Sequence, residues 1–250
     1  MILDGFPKIL WINLDKSTKR RSYMEKLLNS YNLEHIRIPA IDGTNPKNLE
    51  FNNICIPNNN FSSMENACTC SHIMALKYFV ENIRDDKIII FEDDVSFEFL
   101  KFIPFNWSDL MNNLPKNYHV IQLAITNMRT INNYLIKTNP NMKYFCSAAY
   151  LITKTGAKKI LERYYNPKID KINLSEQQYI TADSMILSVG NTYSIPIFTY
   201  KILDSLIHPL HLYIHRLSKK RQILIWMNIM NNLKTFDKNV YFSKFEKDDS

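Results

Sequence analysis

Glycine is scarce in this chain, at 4 of 250 residues. Nucleotidyltransferases hold a triphosphate in a Gly-rich basic loop after their first strand. The equivalent stretch here, Asp15-Lys16-Ser17-Thr18, contains no Gly, which argues against that class. Cysteine is equally sparse. Cys55, Cys68, Cys70 and Cys146 show no disulfide-framework spacing. Cys68-x-Cys70-x-His72 reads as a run of metal ligands, but no second Cys/His pair follows at finger-like spacing. Reduced, mostly buried thiols are therefore expected. Long apolar runs are missing too: residues 223–230 form a short one, interrupted by Asn228. Residues 1–7 carry Asp4, Gly5 and Pro7 and lack the form of a signal peptide. The expectation is a protein without a transmembrane segment, located in the cytoplasm. The Asn-, Ile- and Lys-rich texture fits an AT-rich genome; for a large DNA virus the location becomes host cytoplasm or virion.

What is present suits a folded α/β domain. Hydrophobic residues make up 46% and charged residues 22%, and 250 residues can bury a full core. The net charge of +7 favours anionic ligands. The basic clusters Lys19-Arg20-Arg21 and Lys219-Lys220-Arg221 are not interleaved with aromatics, so nucleic acid is not expected as a partner. Residues 8–14 read as a buried strand, a helix follows with Met24, Leu27, Leu28 and Tyr31 inward, and residues 36–41 read as a second strand. This βαβ opening predicts a parallel sheet. Ser62-x-x-Glu65 predicts the start of a helix bearing Cys68, Ser71, Ala75 and Phe79 on one side. Residues 147–153 predict a strand, and helices are expected at 155–165, 181–189 and 218–233. Residues 127–141 are a polar stretch without a clear element. No linker or repeat is visible, so residues 1–215 are expected as one domain and 216–250 as a helical extension of it.

The most informative run is Lys87-Ile88-Ile89-Ile90-Phe91, which ends abruptly in Glu92-Asp93-Asp94. In open α/β sheets, ligands bind beyond the carboxyl ends of strands. Three carboxylates at such an end repel one another unless a cation neutralises them. Hard divalent ions take carboxylate oxygens and share them with substrate phosphates. A solvated acidic turn is the plainer reading of the same residues.

Several islands in order then resemble glycosyltransferase family 25, which includes lipopolysaccharide galactosyltransferases and collagen hydroxylysine galactosyltransferases. They are Ile12-Asn13-Leu14-Asp15 with Lys19-Arg20-Arg21; Ala40-Ile41-Asp42-Gly43; Ala67-Cys68-Thr69-Cys70-Ser71-His72; Ile90-Phe91-Glu92-Asp93-Asp94-Val95; 149–157; and 182–187. Ala67 stands where the family usually has Gly. The resemblance implies a GT-A-type, Rossmann-like, mixed and mainly parallel sheet flanked by helices. It implies an inverting transfer of a sugar from a UDP-sugar, supported by Mn²⁺ or another divalent cation. Galactose is favoured, with glucose or GlcNAc as alternatives. The acceptor is a hydroxyl of a collagen-like protein or a glycan, and a homodimer is compatible.

Asp94 is the first candidate metal ligand, with Glu92, His208 and His211 as further ones; His215 reads as a surface residue. Asn13, Asp15, Arg20, Arg21, Asp42, Ser71, His72, Glu92 and Asp93 are candidate donor contacts. Asp42 reads almost equally well as a turn residue, and His72 and Ser71 as buried structural groups. Asp183 is the candidate general base, and an N-terminal helix residue is the competing reading. A non-enzymatic, glycosyltransferase-like binding or adhesion protein is the alternative function. Loss of the acidic cluster would favour that alternative, and here the cluster is intact.

Overall fold

The computed structural model describes residues 2–44, 53–127, 133–142, 144–201 and 212–246. The chain opens with β1 (Ile9–Asn13), α1 (Thr18–Ser30) and β2 (His35–Pro39), the predicted βαβ unit. Next come β3 (Cys55–Ile56), α2 (Ser63–Asn82), β4 (Lys87–Glu92) and β5 (Val95–Ser96). After α3 (Trp107–Asn112) follow β6 (Val120–Gln122), β7 (Ile136–Thr138), β8 (Ala149–Thr153) and α4 (Lys154–Tyr164). Then come β9 (Tyr165–Asn166), β10 (Lys171–Asn173), α5 (Ala182–Leu187), β11 (Thr192–Ser194) and β12 (Thr199–Tyr200). The described chain closes with α6 (Leu212–Asn231) and α7 (Lys238–Phe242).

Seven strands form one sheet in the order β2-β1-β4-β8-β6-β11-β7. β2, β1, β4, β6 and β11 run one way, and β8 and β7 run against them. This is the expected mixed, mainly parallel sheet flanked by helices. Side chains alternate between its faces along each strand. Ile89, Phe91, Trp11, Leu151 and Tyr193 point into one core. Ile88, Ile90, Leu10, Tyr150 and Ile152 point into the other, against α2, α4 and α5. Both faces are covered, which explains why β4 reads as an unbroken apolar run.

The reversal of β8 positions the site. Because β8 lies antiparallel beside β4, its N-terminal end meets the C-terminal end of β4, with Phe91 opposite Ala149. The Glu92 N–H donates to the Ala148 carbonyl at 2.9 Å. The loop entering β8 is thereby delivered to the acidic turn.

α2 begins as its sequence dictates. The Ser62 hydroxyl accepts from the Glu65 N–H, and the Glu65 carboxylate accepts from the Ser62 N–H, closing the capping box. α6 starts at Leu212, six residues before the helix expected at 218, and runs across position 215. Its Trp226 is fully buried and donates to the Pro196 carbonyl. No described helix is long and apolar enough to cross a membrane.

Candidate functional site

The three carboxylates of the acidic turn separate into three environments. Asp93, 8% exposed, is locked: Oδ2 accepts from Asn13 Nδ2 and Oδ1 from Arg20 Nη1, both at 2.7 Å. Asn13 ends β1 and Arg20 lies in the first turn of α1, so the βαβ opening supplies both partners. Burial opposes the charge on Arg20, but Asp93, Asp94 and Glu92 outweigh it and raise its pKa.

Glu92 turns towards α2 and the β8 loop. Its Oε1 accepts from Ser147 Oγ at 2.5 Å and lies 3.3 Å from His72 Nε2. Burial alone would raise its pKa; the facing His72 ring, the Ser147 hydroxyl and the Arg20 charge together hold it below the usual carboxylate range.

Asp94 is the exception. Its Oδ1 is buried without a hydrogen-bond partner. Burial, then repulsion from Glu92, pushes its pKa up to about 8 against the opposing charge of Arg20. Leaving a buried polar atom unpaired costs about 1–3 kcal/mol, and a divalent cation would relieve both the unpaired oxygen and the repulsion. The residues present therefore fit a hard cation at Asp94. His208 and His211 lie outside the described residues. The chain leads towards them from Lys201, whose N–H donates to the Asp94 carbonyl at 2.7 Å. On the far side His215 stacks edge-on against Tyr200, with ring centroids 4.9 Å apart. His215 itself remains partly exposed, so the surface reading and this ring contact hold together.

A cationic group surrounds Asn13. Arg37 Nε and Arg21 Nε both donate to Asn13 Oδ1, at 3.1 and 3.4 Å. Both guanidinium groups also pair with Asp15. Sequence reasoning missed Arg37. The available signal was a lone Arg in the middle of β2, the strand next to β1.

Asp42 and Ser71 are engaged locally. Asp42 accepts from Lys16 Nζ at 2.5 Å and caps its own turn through the Thr44 N–H at 3.0 Å. Its pKa is lowered: burial opposes this, but Lys16 and Thr44 prevail. Ser71 Oγ accepts from the Ile41 N–H at 2.9 Å and donates to the Ala67 carbonyl at 2.7 Å, fastening α2 to the loop after β2.

Asp183, in the first turn of α5, reaches the β8 loop. Its Oδ2 accepts from the Cys146 N–H at 3.2 Å, while Oδ1 accepts from Thr181 Oγ1 and the Ser184 N–H. Cys146 has φ +102°, a left-handed conformation that costs a non-Gly residue about 1–3 kcal/mol. Gln122 Nε2 at the end of β6 helps to hold it, donating to the Cys146 carbonyl at 2.8 Å. The structure thus gathers Gln122, Cys146, Ser147 and Asp183 on one side of the acidic turn, and Asn13, Arg20, Arg21 and Arg37 on the other. The signal for Gln122 was a polar residue closing the apolar strand 120–122.

Against this geometry, the family model for glycosyltransferase family 25 (LPS biosynthesis protein) matches residues 6–174. The chain belongs to glycosyltransferase family 25. It is accordingly a glycosyltransferase. The match takes in β1, the acidic turn and the β8 loop and stops short of Asp183. No curated protein matches the family 25 chain in sequence. Among solved structures it is similar to A197 from STIV, with 12% identity, TM-score 0.42 and coverage of 77% of this chain and 83% of that one. The glycosyltransferase GlyE in Streptococcus pneumoniae TIGR4 is 6% identical, with TM-score 0.38 and coverage of 98% and 66% respectively. The inositol-1-phosphate CTP transferase from T. maritima is 15% identical, with TM-score 0.38 and coverage of 87% and 78%.

Proposed function

We propose that this glycosyltransferase moves a hexose, with galactose favoured, from a UDP-sugar to an acceptor hydroxyl with inversion and with the help of Mn²⁺ or a similar cation. The observation that carries this reading is Asp94: a half-buried carboxylate whose Oδ1 is buried and unpaired, in the turn just beyond the C-terminal end of a central strand. A divalent cation bound there would offset the negative charge that builds on the departing diphosphate. Asp94 would hold it, and His208 or His211 is the candidate to complete its shell.

The chain's own groups divide the remaining work. Arg20, Arg21 and Arg37 supply planar cationic donors suited to phosphate oxygens. Asp93 and Asn13 keep Arg20 extended across the end of the sheet. Asp183 lies beyond the β8 loop and takes the proton from the acceptor hydroxyl at its carboxylate. Such general-base help contributes about 10²–10⁴-fold in rate. The acceptor is a hydroxylysine of a collagen-like protein or a hydroxyl of a glycan.

The test measures UDP release with Mn²⁺ and a panel of UDP-sugars, with and without hydroxylysine-bearing peptides, for wild type and Asp94→Ala. Release from one sugar that is abolished by chelator and by Asp94→Ala supports the reading. Enhancement by peptide identifies the acceptor class, and its absence directs the search to glycans. No release from any sugar, together with no UDP binding, would overturn the reading in favour of a glycosyltransferase-like binding protein.

A further inference from the structure

Cys68 and His72 stand one turn apart on α2, so their side chains leave the same face of the helix. That face meets Glu92 at the end of β4. One ligand atom each from Cys68, His72 and Glu92 lies within 4.8 Å of the other two. Cys70, the other thiol of this run, is turned away, with its Sγ 2.8 Å from that of Cys55. The grouping therefore differs from the Cys68-x-Cys70-x-His72 run: a carboxylate 20 residues on stands where the second thiol would be.

His72 supplies the second observation. Its side chain is 1% exposed, and its Nε2 is buried without a hydrogen-bond partner. Nε2 lies 3.3 Å from Glu92 Oε1, within ion-pair reach but outside hydrogen-bond geometry. The other ring nitrogen, Nδ1, is 3.0 Å from the buried Tyr150 hydroxyl. With Nδ1–H donated to Tyr150, Nε2 would be able to give its lone pair to an ion, which would replace the ring proton that otherwise favours the Glu92 charge. Metal-binding imidazoles are commonly held in this way.

From these contacts we infer that Cys68, His72 and Glu92 form a second cation site, separate from Asp94, which binds a Zn²⁺-class ion. A tetrahedral ion with bonds of about 2.0–2.3 Å separates its ligands by roughly 3.3–3.7 Å. The His72–Glu92 pair already meets that spacing. A thiolate, an imidazole and a carboxylate together select Zn²⁺ or Co²⁺ over Mg²⁺ and Mn²⁺, which prefer oxygen-rich shells. Three protein ligands leave a fourth position for water or a substrate oxygen.

The experiment titrates metal-free protein with Co²⁺ and records the near-ultraviolet thiolate-to-cobalt charge-transfer band. The expected result is a band saturating at one equivalent, lost in Cys68→Ser, displaced by Zn²⁺ and retained in Asp94→Asn. No band in wild type, or a band that survives Cys68→Ser, overturns the site. A band lost in Asp94→Asn overturns its separateness. A folding defect in Cys68→Ser does not blunt the test. Cys68 is only partly buried, so its alkylation in wild type can be followed by mass spectrometry. Zn²⁺ should slow that alkylation at least tenfold, and equal rates with and without Zn²⁺ would overturn the proposal. These readouts do not depend on sugar transfer, so failure of the UDP-release assay leaves them interpretable.

Discussion

Arg20 Nη1 reaches across 73 residues to Asp93 Oδ1 at 2.7 Å and so ties the first helix to the acidic turn. Asp93 is buried beside two more carboxylates, so removing its partner strands a charge. Breaking a fully buried pair costs about 3–5 kcal/mol, and the partial exposure of Arg20 moderates that. Arg20→Ala should therefore cost about 2 kcal/mol in urea denaturation. Asp93→Asn made in that background should recover part of the loss, which gives a coupling energy from the double-mutant cycle.

Asp94→Asn should separate stability from activity. The folded pKa of Asp94 is raised from 3.8 to about 8, so the folded state binds this proton more tightly than the unfolded state. Metal-free wild type should lose stability as the pH rises from 3.8 towards 8, at about 1.4 kcal/mol for each pK unit actually realised. Asn cannot ionise. The variant should melt higher than metal-free wild type at pH 9 by differential scanning calorimetry, and it should release no UDP.

Asp183→Asn should leave UDP affinity within about twofold by calorimetry and lower transfer by about 10²–10⁴-fold. The competing role, holding Cys146 through its N–H, predicts a different outcome. There the fall in transfer would come with a lower melting temperature and weaker UDP binding.

Gly43→Ala should destabilise the fold by about 1–3 kcal/mol. A Cβ at this turn would meet the Ser63 carbonyl at 2.5 Å and Met64 Cα at 2.7 Å, both backbone atoms of α2. Neither can yield without moving the helix that carries Cys68 and His72. The urea midpoint checks this.

Asp109→Asn should test an acid-sensitive tether. Asp109 closes the capping box of α3 and pairs with Lys238 at 2.7 Å, joining α3 to α7. Its pKa is lowered: burial opposes this, but Lys238 and the Asn106 N–H prevail. A depressed carboxylate pKa contributes stability above the ordinary value and loses it as the pH falls through the folded value. The variant should be weaker by about 0.5–1 kcal/mol at pH 7. The gap should close as the pH is taken below 3.8.

Local signals made some of this architecture legible. The apolar run ending at Glu92 and the Ser62/Glu65 box are patterns of a few adjacent residues, and β4 and α2 follow them. Strand direction is not a local property, so the reversal of β8 could not be read. β7 has only three residues within a polar stretch and pairs at the sheet edge, where alternation is weak. The acidic turn and the basic turn after β1 were visible as candidates. Their division of labour was not, because Asn13, Arg20, His72 and Ser147 meet the turn only through contacts distant in sequence.

The antiparallel seating of β8 beside β4 has a practical consequence for ligand discovery. No contiguous fragment holds the candidate site: its groups come from β1, α1, β2, α2, the acidic turn, β6, the β8 loop and α5, and the sheet brings them together. A ligand that recognises this arrangement can bind only the fully assembled chain. Its whole binding energy then appears as protection against unfolding, about 2.7 kcal/mol at a hundred times its Kd. For a chain of this size that is a shift of roughly 5–10 °C. A plate of nucleotide sugars and metal ions can therefore be ranked by melting temperature alone, before any acceptor is known.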